Sequence, residues 1–320
     1  MAEKPKLSRI EIGGAIAVVF LAAVYWTKTD GMAALTIWPA WIPFAILAFL
    51  CLARVRRQAW KRPLAQALGI ATMGLCLMDS PLSLVRGELP AELTVVSLNC
   101  AGGIPAAMKE VAAFQPDIIL LQERPDTEQV RALAKKIYKS ENIAFGPDAA
   151  VLSRWPITQA NGKPTTANMN HAWAIVAHPK GEIAVCSLRL QPPIFRLDLW
   201  SSDAWQTYAR NKQQRRDEIL ALLKSLPHEF EHTAHAAILG GDYNTPPDAT
   251  LTQPISNLGF TDSFAEHGIG LGGTAINDYP AVRIDQIWAR GLHSRGTRAV
   301  KTVHSDHRMV VAKFSIPASK

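Results

Sequence analysis

The chain has 320 residues, 48% of them hydrophobic, and a formal net charge of +7. That is long enough for one large domain plus an appendage, and slightly apolar for a soluble enzyme. Residues 1–87 carry 10 Lys and Arg against 4 Asp and Glu, whereas residues 88–320 carry 24 against 23. A nucleic-acid-binding domain should carry such a surplus itself, so nucleic acid is the less favoured partner, although a local patch is compatible with a neutral total.

Two apolar stretches, Ile12–Trp26 and Met32–Ala53, dominate the first quarter, and a third runs from Leu64 to Met78. With roughly 20 apolar residues needed to cross the hydrocarbon core, they read as spans over 10–26, 32–53 and 64–79; the third is also short enough to lie along the interface as a surface helix. Lys4, Lys6 and Arg9 precede the first stretch, but no small-residue cleavage site follows, so an uncleaved anchor is expected. The basic residues Arg54, Arg56, Arg57, Lys61 and Arg62 fall in the second loop. Three spans then place everything after Ser80 on the periplasmic or extracellular side of the cell (inner) membrane, and two leave it in the cytoplasm. The division is a membrane anchor, 1–87, and a soluble domain, 88–320. Cys51 and Cys76 lie in apolar stretches and Cys100 and Cys186 in two predicted strands, with no Cys-x-x-Cys. They read as small buried residues, and a Cys100–Cys186 bridge is compatible with an oxidising compartment.

From Glu92 onward, short apolar strands alternate with helical or polar segments. Strands are predicted over Leu93–Leu98, Ile118–Leu121, Ala149–Leu152, Trp173–Ala177, Ile183–Leu188, Ala236–Leu239, Val282–Trp288 and Val310–Ile316. Helices are predicted over Ala106–Phe114, Thr127–Tyr138 and Gln206–Leu226. Hairpins mixed with crossovers predict a mixed sheet sandwich covered by helices. Trp200 and Trp205, in "IFRLDLWSSDAWQTY", read as lipid-headgroup contacts, a cover for a cleft or ordinary core anchors.

Several strands run into polar residues that a core would not want. The first reaches Asn99, then Gly102 and Gly103; the second reaches Gln122 and Glu123; Ala236–Leu239 leads to Asp242 and Asn244; Asp285 interrupts Val282–Trp288; and Ser305, Asp306 and His307 precede the last. Singly, each is a turn or capping residue. Together, Asn, Glu and Asp offer hard oxygen atoms, and no Cys/His cluster has zinc spacing, which points to Mg2+ or Mn2+ as cofactor. Asp242 and Asn244, two apart in extended chain, project to one side, where one orients an attacking water and the other donates to a phosphoryl oxygen. His307 pairs with Asp285 or Asp306, a contact that fixes its tautomer and stabilises the imidazolium. His228, His232 and His235 cluster after the long helix; with no obvious acidic residue in the pattern they read as part of a solvated linker in preference to a metal site.

The stretches "VVSLNCAGG", "PDIILLQER", "LGGDYNTP", "RIDQIWA" and "HSDHRMVVAKF" resemble, in order, the motifs of the endonuclease/exonuclease/phosphatase superfamily, the DNase I-like metal-dependent phosphoesterases. The resemblance covers Val95 to Phe314 and none of the N-terminal part. It implies an α/β (α+β) fold, a four-layer αββα sandwich, here preceded by N-terminal transmembrane helices. It implies Glu123 as principal metal ligand with Asn99 beside it, and Asp306 at the metal or histidine side. Asp242 would align the water, Asn244 would contact the phosphate, and His307 would be oriented by Asp285. Many members have a histidine in the strand written here "AVCSLRLQPP"; this chain has Arg189, a phosphate-binding cation that does not readily hand over a proton.

The first functional expectation is a membrane-anchored, magnesium-dependent phosphoesterase acting on a phosphodiester, phosphomonoester or pyrophosphate bond. The resemblance extends to members with a similar three-span N-terminus, which include proteins that act on lipid pyrophosphates, so a lipid-linked substrate is included. The second is an extracytoplasmic nuclease with Arg189, Arg196, Arg210, Arg215 and Arg216 as groove candidates. The third is a binding module that keeps the fold without turnover. No protein partner is implied.

Overall fold

The computed structural model describes residues 9–54, 83–160, 170–231, 234–247 and 249–317. The chain divides into two compact units, Met1–Pro81 with Ile194–Lys212, and Leu82–Pro193 with Gln213–Lys320.

In the first unit, helices cover Arg9–Thr27, Ala33–Thr36 and Trp41–Arg54, with a 3-10 turn at Asp30–Met32. Among the described residues no helix is long and apolar enough to cross a membrane, so the expected spans 10–26 and 32–53 are not supported. Pro39 is one reason: it lacks an N–H and disfavours helical backbone at Trp38, and the chain opens there before helix resumes at Trp41. At about 1.5 Å per residue, the helix Trp41–Arg54 reaches only about 21 Å, short of a roughly 30 Å hydrocarbon core. The expected span 64–79 lies outside the described residues. A small core joins Ala33, Ala34 and Ile37 to Tyr208, with Trp205 packed at its edge, whereas Trp200 is 87% exposed. Lys212 is buried and donates to Lys28 O at 2.6 Å, capping a carbonyl just past the first helix.

The second unit is built from β1 (Leu93–Asn99), β2 (Ile118–Gln122), β3 (Ile143–Phe145), β4 (Ala149–Ser153), β5 (Ile157–Ala160), β6 (Asn170–His178), β7 (Gly181–Arg189), β8 (Ala236–Asp242), β9 (Thr261–Asp262), β10 (Asp285–Arg290), β11 (His293–Val300) and β12 (Met309–Ser315). They form two six-stranded sheets, ordered β11-β12-β1-β2-β4-β3 and β5-β6-β7-β8-β10-β9. The β1–β2 and β7–β8 pairs are parallel, and their neighbours are antiparallel.

Strand alternation sorts the side chains into layers. In β2, Ile118 and Leu120 enter the inter-sheet core while Ile119 and Leu121 face the opposite way, onto Val130, Leu133 and Ala134 of the helix Thr127–Tyr138. In β8, Ala236 and Ile238 face inward, and Ala237 and Leu239 pack with Ile219 and Leu222 of the helix Ser202–Ser225. The result is helix, sheet, sheet, helix, a two-sheet α/β sandwich of the expected DNase I-like kind. Ala106–Phe114 is a short helix, Pro105–Lys109, followed by a 3-10 turn, Glu110–Phe114. Val282 forms only an isolated bridge, to Ala275, and β10 begins at Asp285.

Alternation also excludes the Cys100–Cys186 bridge. Cys100 packs in the outer layer of the first sheet and Cys186 in the outer layer of the second, and both are buried free thiols.

Candidate active site

The inward-facing register of five strands changes from apolar to polar at one end of the sandwich. In β1 it reads Leu93, Val95, Ser97, Asn99; in β2, Ile118, Leu120, Gln122; in β7, Ile183, Val185, Ser187, Arg189; in β8, Ala236, Ile238, Gly240, Asp242; and in the reversed β10, Ala289, Ile287, Asp285. Directly paired residues share a face, so Arg189, Asp242 and Asp285 form one row across β7, β8 and β10. Asn99 pairs with Gln122 on the facing sheet. Below the row lies a polar floor: Gln122 Nε2 donates to Ser187 Oγ at 2.9 Å, and Ser187 Oγ donates to Leu121 O at 2.8 Å.

Two glycines bring β8 to this point. A Cβ on Gly240 would lie 2.5 Å from Leu120 Cδ1 of the facing sheet, so any larger residue there would displace the Leu120 methyl. Gly241 has φ +147°, and a Cβ would lie 1.9 Å from Leu188 O on β7. Beyond them the chain turns at Asn244, whose φ is 50°. Asparagine tolerates this left-handed backbone better than most residues. Glu123, at φ 45°, adopts it too, which turns the side chain out of the β2 alternation.

Asp242 is the hub. Its Oδ2 accepts from Asn99 Nδ2 and from Asn244 Nδ2, each at 3.1 Å, and its Oδ1 accepts the Asn244 backbone N–H at 2.8 Å. Asn244 Nδ2 also donates to Leu190 O at 2.8 Å, and the buried Arg215 donates to Asn244 O, fixing the turn from below. Asn99 Nδ2 reaches Glu123 Oε1 at 3.1 Å, while Glu123 Oε2 accepts the Gly102 N–H at 2.6 Å. On the other side, His307 Nδ1 donates to Asp285 Oδ2 at 2.9 Å. Thr274 Oγ1 accepts the Asp285 N–H at 3.0 Å. Ser305 Oγ accepts the His307 N–H at 3.0 Å and donates to Asn99 O at 2.7 Å, tying the last loop to β1.

Burial and then the neighbouring Asp285 push the Asp242 carboxyl up to about 7, against the pull of the His307 charge. For His307, burial opposes the charged form, but Asp285, by charge and hydrogen bond, and then Asp242 and Asp306 outweigh it and carry the imidazole up to about 10. An imidazolium has no lone pair for a metal. Ligand atoms of Asp242, Asp285 and His307 lie within 4.8 Å of one another, but His307 Nδ1 is already engaged with Asp285. The side that suits a cation is the other one. There Glu123 and Asp242 turn carboxylate oxygens toward a single Asn99 amide, a hard-oxygen set suited to Mg2+ or Mn2+.

Of the predicted residues, Asn99, Glu123, Asp242, Asn244, Asp285 and His307 join one hydrogen-bonded chain. Arg189 stands beside Glu123, with Nη1 3.7 Å from Oε1. Asp306 is exposed; its backbone carbonyl accepts from Asn277 at 2.7 Å, and it acts on His307 through charge. Sequence reasoning missed Asp148, whose Oδ2 takes Arg189 Nε and Nη2 at 2.6 Å each. In "GPDAAVL" it looks like any turn residue before a strand. Ser305 and Thr274 were equally hidden. The groove arginines are also engaged within the protein: Arg215 is buried on Asn244 O, Arg196 pairs with Asp198 and Asp203, Arg210 with Asp203, Arg189 with Asp148, and Arg216 with Gln213.

The family model described as "Endonuclease/Exonuclease/phosphatase family" matches residues 96–307. The chain belongs to this family. Family members are in general phosphoester hydrolases that depend on divalent metals, which makes this chain a hydrolase at that coarse level. No curated protein sequence matches it. Among solved structures, the mannosyl-6-phosphatase Bt3783 of Bacteroides thetaiotaomicron VPI-5482 is 14% identical, with a TM-score of 0.54, covering 70% of this chain and 100% of that one. An endonuclease/exonuclease/phosphatase family protein from Leptotrichia buccalis C-1013-b is 15% identical, with a TM-score of 0.50 and coverage of 70% and 100%. Humanized D. rerio TDP2 is 18% identical, also at 0.50, with coverage of 70% and 98%. At these identities the likeness is one of fold.

Proposed function

We propose that the protein is a magnesium-dependent phosphoesterase in which Asp242 positions and deprotonates the attacking water. The observation that carries this is the setting of Asp242, a buried carboxyl held by three N–H donors and flanked by the Asp285–His307 pair. A general base works best with a pKa near the operating pH, and about 7 meets that condition. Asn99 and Asn244 fix the carboxylate, so its orientation is set before substrate arrives. His307, tied through Nδ1, carries positive charge to the phosphoryl oxygens on the opposite ring edge. Glu123 and Asn99 would hold the cation, with Asp306 at the histidine side; such a cation would supply neutralisation of phosphoryl charge. Arg189 supplies a second, permanent positive charge.

The proposal extends to a phosphate group on a lipid, with the first unit holding the enzyme at a membrane and the catalytic unit on the periplasmic or extracellular side. Supporting this are the apolar N-terminal sequence and the exposed apolar side chains of the first unit, among them Ile16, Val19 and Phe49. The full chain is to be assayed on lipid-linked pyrophosphate, phosphodiester, phosphomonoester and DNA, with Mg2+, with EDTA and as Asp242→Asn. The expected result is Mg2+-dependent release, fastest from the lipid substrate and lowered at least about a hundredfold by the substitution. DNA cleaved faster than every lipid substrate would establish the nuclease reading instead. Release indifferent to EDTA and to Asp242→Asn would remove the catalytic assignment.

A further inference from the structure

The geometry points to Arg189 as a built-in rival of the divalent cation for Glu123, with Asp148 as the positioning residue that holds the guanidinium back. This rests on the reading of Glu123 as a metal ligand. Arg189 ends β7 in the second sheet, while Asp148 immediately precedes β4 in the first. Ala149 pairs with Gln122, so Asp148 and Glu123 sit at neighbouring strand ends. The side chain of Arg189 crosses the inter-sheet layer and places both Nε and Nη2 on Asp148 Oδ2 at 2.6 Å. Its remaining nitrogen, Nη1, stops 3.7 Å from Glu123 Oε1. That separation is too long for a hydrogen bond, but close enough for strong Coulomb coupling.

The charges of these three side chains sum to one negative unit. Arginine stays protonated at every accessible pH, so its repulsion of a cation at Glu123 is set by position alone. Asp148 fixes that position with two of the guanidinium's three nitrogens. Without Asp148 the guanidinium is released onto Glu123 and neutralises it; without Arg189 the site loses the cation beside Glu123, and Asp148 keeps only the attraction of Arg124. A unit charge about 4 Å from a divalent ion changes its binding by on the order of tenfold even with water-like screening. The pair also ties one sheet to the other, and a purely structural tie makes a different prediction: both variants lose stability, and neither changes cation affinity in a direction set by charge.

The test is Mn2+ binding to the full chain, read by electron paramagnetic resonance of the unbound ion, with no substrate present. Arg189→Met is expected to tighten Mn2+ about tenfold and Asp148→Asn to weaken it about tenfold. In the Arg189→Met background the Asp148→Asn effect is expected to shrink, because no guanidinium remains to be released. Thermal melts of the metal-free variants verify folding, and Arg189→Gln serves if Arg189→Met does not fold. The inference is overturned if removing Arg189 leaves Mn2+ affinity unchanged or lowers it, or if Asp148→Asn has the same effect with and without Arg189. Glu123→Gln separates the two levels. Binding that is lost in Glu123→Gln but indifferent to Arg189 overturns this inference alone; binding indifferent to Glu123→Gln, or absent from the wild type, also removes the metal reading beneath it.

Discussion

At Asp285 and His307, the charge of Asp285 and a hydrogen bond of 2.9 Å together favour the protonated imidazole. The imidazole resonance of His307 is expected to titrate near pH 10 in metal-free protein, as the Asp285 contact implies. Asp285→Asn should bring it well below that, and an NMR titration over pH 5–11 reads both. A His307 resonance titrating near its ordinary value in the wild type would mean that the pair is not formed. Stability follows with a definite sign. The folded-state value lies above the ordinary 6.5, so the pair's contribution is full below that pH and is lost as pH rises through about 10. Asp242 is also raised, but its ionised form is the disfavoured one, so its burial lowers stability as pH climbs from its ordinary value toward 7. Urea unfolding in EDTA between pH 7 and 10 should show the wild type losing stability and His307→Gln losing less.

At the scale of single elements, β8 carries the tightest backbone demand. Gly241→Ala puts a methyl group 1.9 Å from Leu188 O at φ +147°. We expect a destabilisation of at least ~2 kcal/mol, measured by chemical denaturation; a variant as stable as the wild type would contradict the β7–β8 approach. Asp242 and Asn244 were legible in the sequence only in combination with the polar ends of the other strands, since alone they read as a turn. The strand cores were legible because their apolar runs are self-contained. β11, "HSRGTRAV", was not: its residues are mostly polar and small, and its strand conformation comes from pairing with β12. The helix Ala249–Asn257, with Pro254 inside it, was hidden likewise. Asp148 stayed invisible because its partner lies 41 residues away in the other sheet, a pairing that no local pattern encodes. The signal that marks the site itself is local. Counting by twos along β1, β2, β7, β8 and β10 places Asn99, Gln122, Arg189, Asp242 and Asp285 on the core-facing side, where an apolar residue belongs.

For the molecule as a whole, the sandwich explains why distant carboxylates, amides and one imidazole meet. Two sheets pack through Val95, Ile118, Leu120, Val185, Ile238 and Ile287, and the same inward register delivers polar groups at the open end. The outer layers isolate the thiols. Burial pushes Cys100 up to about 12 and raises Cys186 further, so neither should react with a thiol reagent in the native protein and both should react after denaturation. A Cys100–Cys186 disulfide formed under oxidant, detected by mass spectrometry, would contradict the layer assignment. The proposed chemistry requires a hard cation held beside Asp242 at the Glu123 end of the site. Its most direct test is the rate of phosphate release by the full chain as a function of Mg2+, for wild type and Glu123→Gln. The expected result is saturable Mg2+ activation in the wild type, abolished by EDTA, with the half-activating concentration raised more than about tenfold in Glu123→Gln. A rate independent of Mg2+, or identical Mg2+ curves for the two proteins, would contradict it.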